Sequence, residues 1–496
     1  MHPLMGFLIA SIVALSKSVF YVVVFLSIYL SIRFIHRNAT SPLQRLKGPR
    51  DSGFLLGHVM AVREIDAQTN KSMNGEWMKE YGHVSSFSAP LGIRASCHYL
   101  GNQFLKPHGI VIRKPGFGRR LLGRALGEGV LMAGEDVHKH QRKIMNPAFD
   151  PAQIRELFPI FMEKAVMLRD VWSQKLLQER GNARIDILSG AGKVTLDVIG
   201  AAGFDYELDA LDESKKNDLT DAFGTLLGAE QPDALLLLLV FAMVIPRSWP
   251  TAWRAKRMMN RIGKQLLERS KQQASEEKPA LTSNTISRPR DLLSLLVRAN
   301  MDPSVPEQQR LSKDEVIAQI PTFLLAGHET TSTAIAFCLF SLAERPDIQH
   351  KLRKELLSSI NDNPSMDELN TLPYLDQVLR ETLRLHAPVP ATQRHVMQDD
   401  LIPVSKPFTD KYGEAHNAIR VSAGESVLIP MLAINTAKEI LGDDALEFKP
   451  ERWLDLPKGA TEIPGLLNTL TFLGGPRACI GYRFSMVEFV FLSLTN

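Results

Sequence analysis

The chain has 496 residues, 45% hydrophobic and 23% charged, and 58 Lys and Arg against 54 Asp and Glu leave a net charge of +4. This globular composition can bury a large core, and its dispersed basic residues carry no nucleic-acid motif, so no nucleic-acid partner is expected. Three cysteines, Cys97, Cys338 and Cys479, are too few for a disulfide scaffold or for a four-cysteine zinc or iron–sulfur site, and they suit a reducing compartment.

Residues 4–32 contain one charge, Lys17. A bilayer-crossing helix needs about 20 apolar residues, and this run supplies them if Lys17 reaches toward an interface. A cleaved signal peptide is the rival reading, although its apolar core would be shorter and the small-residue cleavage pattern is weak. Arg33, Arg37, Arg45, Lys47 and Arg50 follow, and basic residues flanking a span place that side in the cytosol. The expected division is an anchor with its basic flank over 1–37, a Pro- and Gly-bearing hinge over 38–50, and one body over 51–496.

Most of the body reads helical, with apolar residues at helical spacing over 150–178, 186–200, 251–273 and 291–300. In GEDVHKHQRKIMNPAF, His138 and Arg142 are four apart and share a helix face; a solvated basic face is the plain alternative. PGFGRRL, 115–121, imitates a dinucleotide loop but ends in Leu121, and SGAGKVT, 189–195, imitates a phosphate loop with Ile187 and Val194 at positions that need other residues. ALLLLLVFAMVIP, 234–246, is short for a second span; it reads either as a core helix with a loop or as a surface that dips into a bilayer. Residues 276–290 form a polar loop.

A long helix is expected over 313–343, roughly 46 Å at the α-helical rise. Ser312 with Glu315 has the pattern of a capping box, and Pro321 predicts a kink. Apolar residues on most faces place this helix at the centre of the body. AGHETT, 326–331, breaks the apolar run. Ala326, Gly327 and Thr330 fall on one face, where small residues leave room and permit a local widening of the helix. Glu329 and Thr330 offer an acid and a hydroxyl able to relay protons. HETTS would need a second histidine at Ser332 to bind zinc as a zincin does, so that reading fails. Further on, Glu381 and Arg384 are three apart, a spacing that usually marks a surface ion pair of small value. SVLIP, 426–430, is the clearest strand in a chain with few strand signals.

Residues 472–481 read FLGGPRACIG. A thiolate needs stabilising against protonation, and a glycine-bearing loop can turn backbone N–H groups toward a sulfur. Gly475 and Gly481 suit that task, Arg477 offers a cation for an anionic group, and Phe472 an apolar wall. A buried inert thiol is the plain alternative.

The loop resembles the haem-binding loop of the cytochrome P450 family, Phe-x-x-Gly-x-Arg-x-Cys-x-Gly, with Phe472, Gly475, Arg477, Cys479 and Gly481 at its fixed positions. AGHETT is similar to that family's oxygen-activation motif. LRETLRLHAPVP and FKPERW are similar to the parts of its structural charge network, here Glu381, Arg384 and Arg452. The resemblance covers about 116–494 and fades over 93–112. It implies a mainly α fold with small β-sheets (α+β), with haem b (iron protoporphyrin IX) between the long helix and the cysteine loop and Cys479 as axial iron ligand. Arg142, Arg394, Arg477 and, in place of a more usual aromatic, His138 would meet the haem propionates. Thr330, Glu329, Ala326 and Gly327 would form the oxygen side. The implied activity is insertion of one atom of O2 into a lipophilic small organic substrate, with electrons from NADPH-cytochrome P450 reductase and cytochrome b5 as a second candidate partner. Lys139 and Lys143 could meet such an acidic donor, or be simply solvated. The implied location is the endoplasmic reticulum membrane, single-pass, with the body cytosolic. Family members normally run on beyond the helix after the cysteine, whereas this sequence ends at Asn496. That leaves a second expectation, a haem-binding or interaction protein derived from the family with impaired catalysis.

Overall fold

The computed structural model describes residues 2–49, 57–58, 65–66, 71–88, 94–98, 112–113, 123, 126–212, 214–215, 217–220, 249–276, 291–359 and 364–494. Two compact units emerge. One comprises residues 1–103, 110–112 and 393–430; the other comprises 104–109, 113–392 and 431–496. The imitation dinucleotide loop at 115–121, the apolar run at 234–246 and the polar stretch after Glu276 lie outside the described residues.

The first unit begins with α1 (His2–Ala39), a 38-residue helix. Its stretch Phe20–Ala39 has a mean hydropathy of 1.4, is unburied, and is long and apolar enough to cross a membrane. Among the described residues, two other helices meet that criterion, but each is partly enclosed by the protein. After α1 come β1 (Ile65–Asp66), β2 (Lys71–Ser72), α2 (Met73–Tyr81), β3 (Val84–Ser88), β4 (Arg94–His98), β5 (Ile112–Arg113), β6 (Thr392–Val396), β7 (Asp400–Thr409), β8 (Ala415–Val421) and β9 (Ser426–Ile429). The main sheet has the order β3-β4-β9-β6-β5. Strand β4 runs antiparallel to β3, pairing Val84 with His98, and parallel to β9, pairing Cys97 with Leu428. Only β9 carries a strand signal strong enough to read directly. Strand β7, DLIPVSKPFT, escapes because Pro403 and Pro407 each remove a ladder donor. It is accommodated by a register shift between Pro403 and Phe408 in the hairpin with β8.

The second unit holds α3 (Glu135–Met145), α4 (Pro151–Glu156), α5 (Phe158–Gln178), α6 (Ile187–Phe204), α7 (Trp249–Glu276), α8 (Leu292–Met301), α9 (Lys313–Glu344), α10 (Pro346–Ser359), α11 (Met366–Asn370), α12 (Pro373–Leu385), α13 (Met431–Asn435), α14 (Lys438–Leu441), α15 (Lys458–Thr461) and α16 (Tyr482–Leu494). The periodic stretch 150–178 is two helices, because Pro151 and Pro159 each occupy a first-turn position where no N–H is needed. Helix α9 starts on the capping box of Ser312 and Glu315 and runs through Pro321, which removes one rung without ending it. Its side chains are buried from Val316 to Leu324 and again at Thr331, Ser332, Ala334, Ile335 and Cys338. Burial lapses between these stretches, over 325–330. Helix α9 packs on α6 and on α16, and the core around them takes in Ile199, Phe204, Phe323, Leu324, Phe484 and Phe489.

Candidate active site

The cysteine loop leads directly into α16. The Cys479 N–H donates to the Phe472 carbonyl at 2.9 Å, and the Ala478 N–H to that of Gly475 at 3.0 Å, closing a short 3-10 turn. Gly475 has φ of +66°, a conformation that favours glycine. Gly474 is needed for space, since a Cβ there would lie 2.0 Å from the Pro464 carbonyl oxygen. At Gly481 a Cβ would meet only Phe149 at 3.8 Å, so protein atoms alone do not demand glycine. Its backbone N–H instead favours the charged form of the Cys479 sulfur.

Burial pushes the Cys479 thiol above its ordinary range, opposed by that N–H and by the Arg142 guanidinium. The same residue retains solvent-accessible surface. Both hold if the sulfur lines an internal cleft, open on one side but surrounded by too much protein for water to stabilise a charge. The accessible area describes the open side, and the surrounding atoms govern the ionisation. A soft sulfur so placed suits a metal on its open side, because a coordinated thiol gives up its proton. The cations alongside suit an anionic group carried with that metal. On both counts the residues fit an iron porphyrin with two carboxylates.

Helix α3 lies against this loop. Arg142 donates to the Ala478 carbonyl and, through Nε, to Asn146 Oδ1 at 3.0 Å. One turn earlier on the same helix, His138 is buried. Arg477 reaches Glu135 Oε1 at 2.9 Å and the Ala133 carbonyl at 3.3 Å, so its charge is met by an acid that the sequence reading did not single out. Lys139 and Lys143 of α3 are exposed. Arg394 is buried in the sheet unit, where it donates to the Gln393 carbonyl at 3.0 Å.

On α9, Ala326 and Glu329 keep accessible surface and Thr330 is half-buried. The Thr330 hydroxyl donates to the Ala326 carbonyl at 2.6 Å, which leaves its oxygen lone pairs to accept. Burial raises the Glu329 carboxyl above its usual range and lowers the neighbouring His328 below its own. Gly327 is half-buried. It turns toward α6, where a Cβ would lie 3.0 Å from Ile199. The small residue at 327 therefore also lets α9 pack closely on α6, about 60° round the helix from Thr330. The helix is not widened here: α9 is continuous α-helix from Lys313 to Glu344.

Glu381, Arg384 and Arg452 meet in the core. Arg384 binds both carboxylate oxygens of Glu381, at 2.8 and 2.9 Å, and donates to the carbonyls of Asn435, Ala445 and Glu447. Arg452 Nε lies 3.4 Å from Glu381, and its Nη1 reaches Asp444 at 2.6 Å. Trp453 and the Lys449 N–H also donate to Glu381. Asn435 extends the cluster toward the cysteine loop. Its amide nitrogen donates to the Thr471 hydroxyl at 2.9 Å, and that hydroxyl donates to the Leu383 carbonyl at 2.7 Å. Asn435, Asp444 and Trp453 carry no local signal of this role, because their partners are remote in sequence.

Residues 55–495 match the cytochrome P450 family. The chain is 43% identical to cytochrome P450 monooxygenase 205 of Postia placenta over 473 residues, covering 93% of this chain and 86% of that protein. Identity to cytochrome P450 monooxygenase 128 of the same fungus is 44% over 475 residues, covering 92% and 85%. Cytochrome P450 monooxygenase claQ of Ampulloclitocybe clavipes is 31% identical over 475 residues, covering 92% and 85%. The chain belongs to the cytochrome P450 family, within a fungal group, and its mostly helical architecture with small sheets is that family's fold. It is a haem-thiolate monooxygenase, and its cofactor is iron protoporphyrin IX.

Proposed function

We propose that Cys479 supplies the thiolate that holds the haem iron, and that the enzyme inserts one atom of O2 into a lipophilic small organic molecule. Bound haem supplies the oxygen chemistry, which thiolate ligation promotes by donating electron density to the iron. The chain's own groups do the rest. The Gly481 N–H and the Arg142 guanidinium favour the charged sulfur. Arg142, Arg477 and His138 would hold the haem carboxylates. The Thr330 oxygen accepts a hydrogen bond on the open side of α9, and Glu329, with its raised affinity for a proton, carries protons toward that oxygen. Ala326 and Gly327 keep the face clear. Glu381, Arg384 and Arg452 fix the scaffold behind the cysteine loop.

Electrons come from NADPH-cytochrome P450 reductase, with cytochrome b5 as a second donor, and Lys139 and Lys143 on exposed positions of α3 suit an acidic docking face. Helix α1 anchors the enzyme in the endoplasmic reticulum membrane with its body in the cytosol, and membrane residence favours lipophilic substrates. The observation that carries the site reading is a Cys479 that keeps accessible surface while the Gly481 N–H and the Arg142 guanidinium favour its charged form. An absorption spectrum of the reduced, carbon-monoxide-bound protein tests it. A thiolate-type Soret band is expected, and Cys479→Ser should abolish it together with NADPH-dependent oxygenation. An unchanged band in that variant would falsify the assignment.

A further inference from the structure

The segment Glu329–Thr333 carries three side-chain hydroxyls beyond that of Thr330, and two of the three fold back onto their own helix. Ser332 and Thr333 both donate to the Glu329 carbonyl, at 3.1 and 2.7 Å, much as Thr330 donates to Ala326. Thr331 behaves differently. Its hydroxyl leaves α9 and meets the Ser485 hydroxyl of α16 at 2.9 Å. One turn beyond Ser485 stands Glu488, 1% exposed, with neither carboxyl oxygen in a hydrogen bond of good geometry. Thr331 is close enough to influence that carboxyl, but burial dominates and raises its proton affinity well above the ordinary range.

Among the described residues, no neighbouring charge offsets this burial. Helix α16 packs against α9, α12, α5 and α4. Lys164 of α5 pairs with Glu163 and Glu207, and Arg155 of α4 with Asp367. Glu381 and Arg384 of α12 pair with each other, and Glu329 of α9 is two residues from Thr331. An isolated carboxylate in such a place costs far more than a neutral acid. A neutral acid also has what the carboxylate lacks, an O–H to donate to the hydroxyl pair.

We infer that Glu488 is a positioning residue: as a neutral carboxylic acid it joins Thr331 and Ser485 and holds the Glu329–Thr330 segment of α9 in register on the helix that follows the Cys479 loop. The role assigned to that segment rests on the reading above, but the protonation and the clamp do not depend on it.

Full-length, haem-loaded protein and its Glu488→Gln variant are compared by difference infrared spectroscopy at pH 8. A carboxylic-acid carbonyl band that disappears in the variant is expected; no such band, with both proteins folded, overturns the inference. Thermal midpoints from pH 5 to 8 give a second readout. Unfolded Glu488 is ionised over this range while native Glu488 keeps its proton. The parent should therefore lose stability relative to Glu488→Gln as pH rises, by up to about tenfold in the folding constant per pH unit. Parallel profiles overturn it. Hydrogen exchange over 326–334 tests the clamp. Glu488→Leu should exchange there at least about tenfold faster, and Glu488→Gln, which can still donate, should restore the parent rate. Equal protection in the leucine variant overturns the positioning role. A missing thiolate-type Soret band would sink the Cys479 assignment and leave these three results standing.

Discussion

Arg384 is among the largest fully buried side chains, and its donors are spent on one carboxylate and three carbonyls. Replacing it with alanine leaves Glu381 buried with only the longer contact to Arg452 as a charged partner. Breaking a buried pair from one side costs about 3–5 kcal/mol, so Arg384→Ala should yield little haem-loaded protein. Arg384→Lys should not restore it, because a point charge cannot serve that fork of acceptors. Absorbance at the Soret band per milligram of protein reads both outcomes. Asp444 allows a subtler measurement. Hydrogen bonds from Arg452 and then Lys449 lower its pKa to about 2, from an ordinary 3.8. A depressed carboxyl pKa adds stability above the unfolded value, and that stability fades as pH falls through the folded one. The gap in urea midpoint between parent and Asp444→Asn should be full at neutral pH and close between about pH 4 and 2. The triad itself was legible, since Glu381, Arg384 and Arg452 sit in recognisable motifs. Asp444 and Asn435 were not, because a chain shows which residues are near in sequence and hides which become near on folding.

Helix α12 ends at His386, whose ring stacks on Phe337 of α9 at 4.5 Å and whose Nε2 lies 3.1 Å from the Ser341 hydroxyl. Burial, aided by Arg384, lowers its pKa from 6.5 to about 4. The unfolded chain gains a proton below pH 6.5 that the folded one refuses until about pH 4, so the α9–α12 packing loses stability across that window. The loss reaches about 3 kcal/mol. His386→Gln should flatten that limb of a thermal-midpoint profile; an unchanged slope would show that the histidine is not held neutral. The cysteine loop offers a steric counterpart. Gly474→Ala must displace the Pro464 carbonyl from 2.0 Å, and a loss of bound haem with the other helices retained by circular dichroism is expected. The elements themselves were read unevenly. The α9 cap, length and central place followed from Ser312, Glu315 and its apolar faces. The close approach of Gly327 to Ile199 of α6 did not, since that partner is remote in sequence. Strand β7 was hidden by its prolines, whose cost is absorbed in a bulge that only the pairing with β8 reveals.

The sequence makes 38–50 a hinge between anchor and body; within the sheet unit, residues 41–48 are tied down at nearly every turn. Arg37 donates to the Gly424 carbonyl at 3.3 Å, and Ser41 bonds the buried Glu425 carboxylate. Leu43 is fully buried. Arg45 pairs with Asp410 at 3.0 Å and with Glu414, while its carbonyl accepts the Lys411 N–H at 3.0 Å. The Lys47 carbonyl accepts the Ser86 N–H at 2.8 Å, and a Cβ on Gly48 would fall 1.8 Å from the Ser86 oxygen. Asp410 is the hub, since it also accepts the N–H groups of Tyr412 and Glu414 and lies 3.1 Å from His416. Each exposed ion pair alone is worth little, but Asp410 is 1% exposed and its loss strands several donors at once. A strap of this kind passes the orientation of α1 to the sheets, which a free linker would not do. Asp410→Ala should therefore speed hydrogen exchange over both 41–47 and 410–416 while leaving the Soret band unchanged. Faster exchange in the hairpin alone would mean that the segment after α1 is held by its apolar contacts and that the charges at Arg45 are incidental.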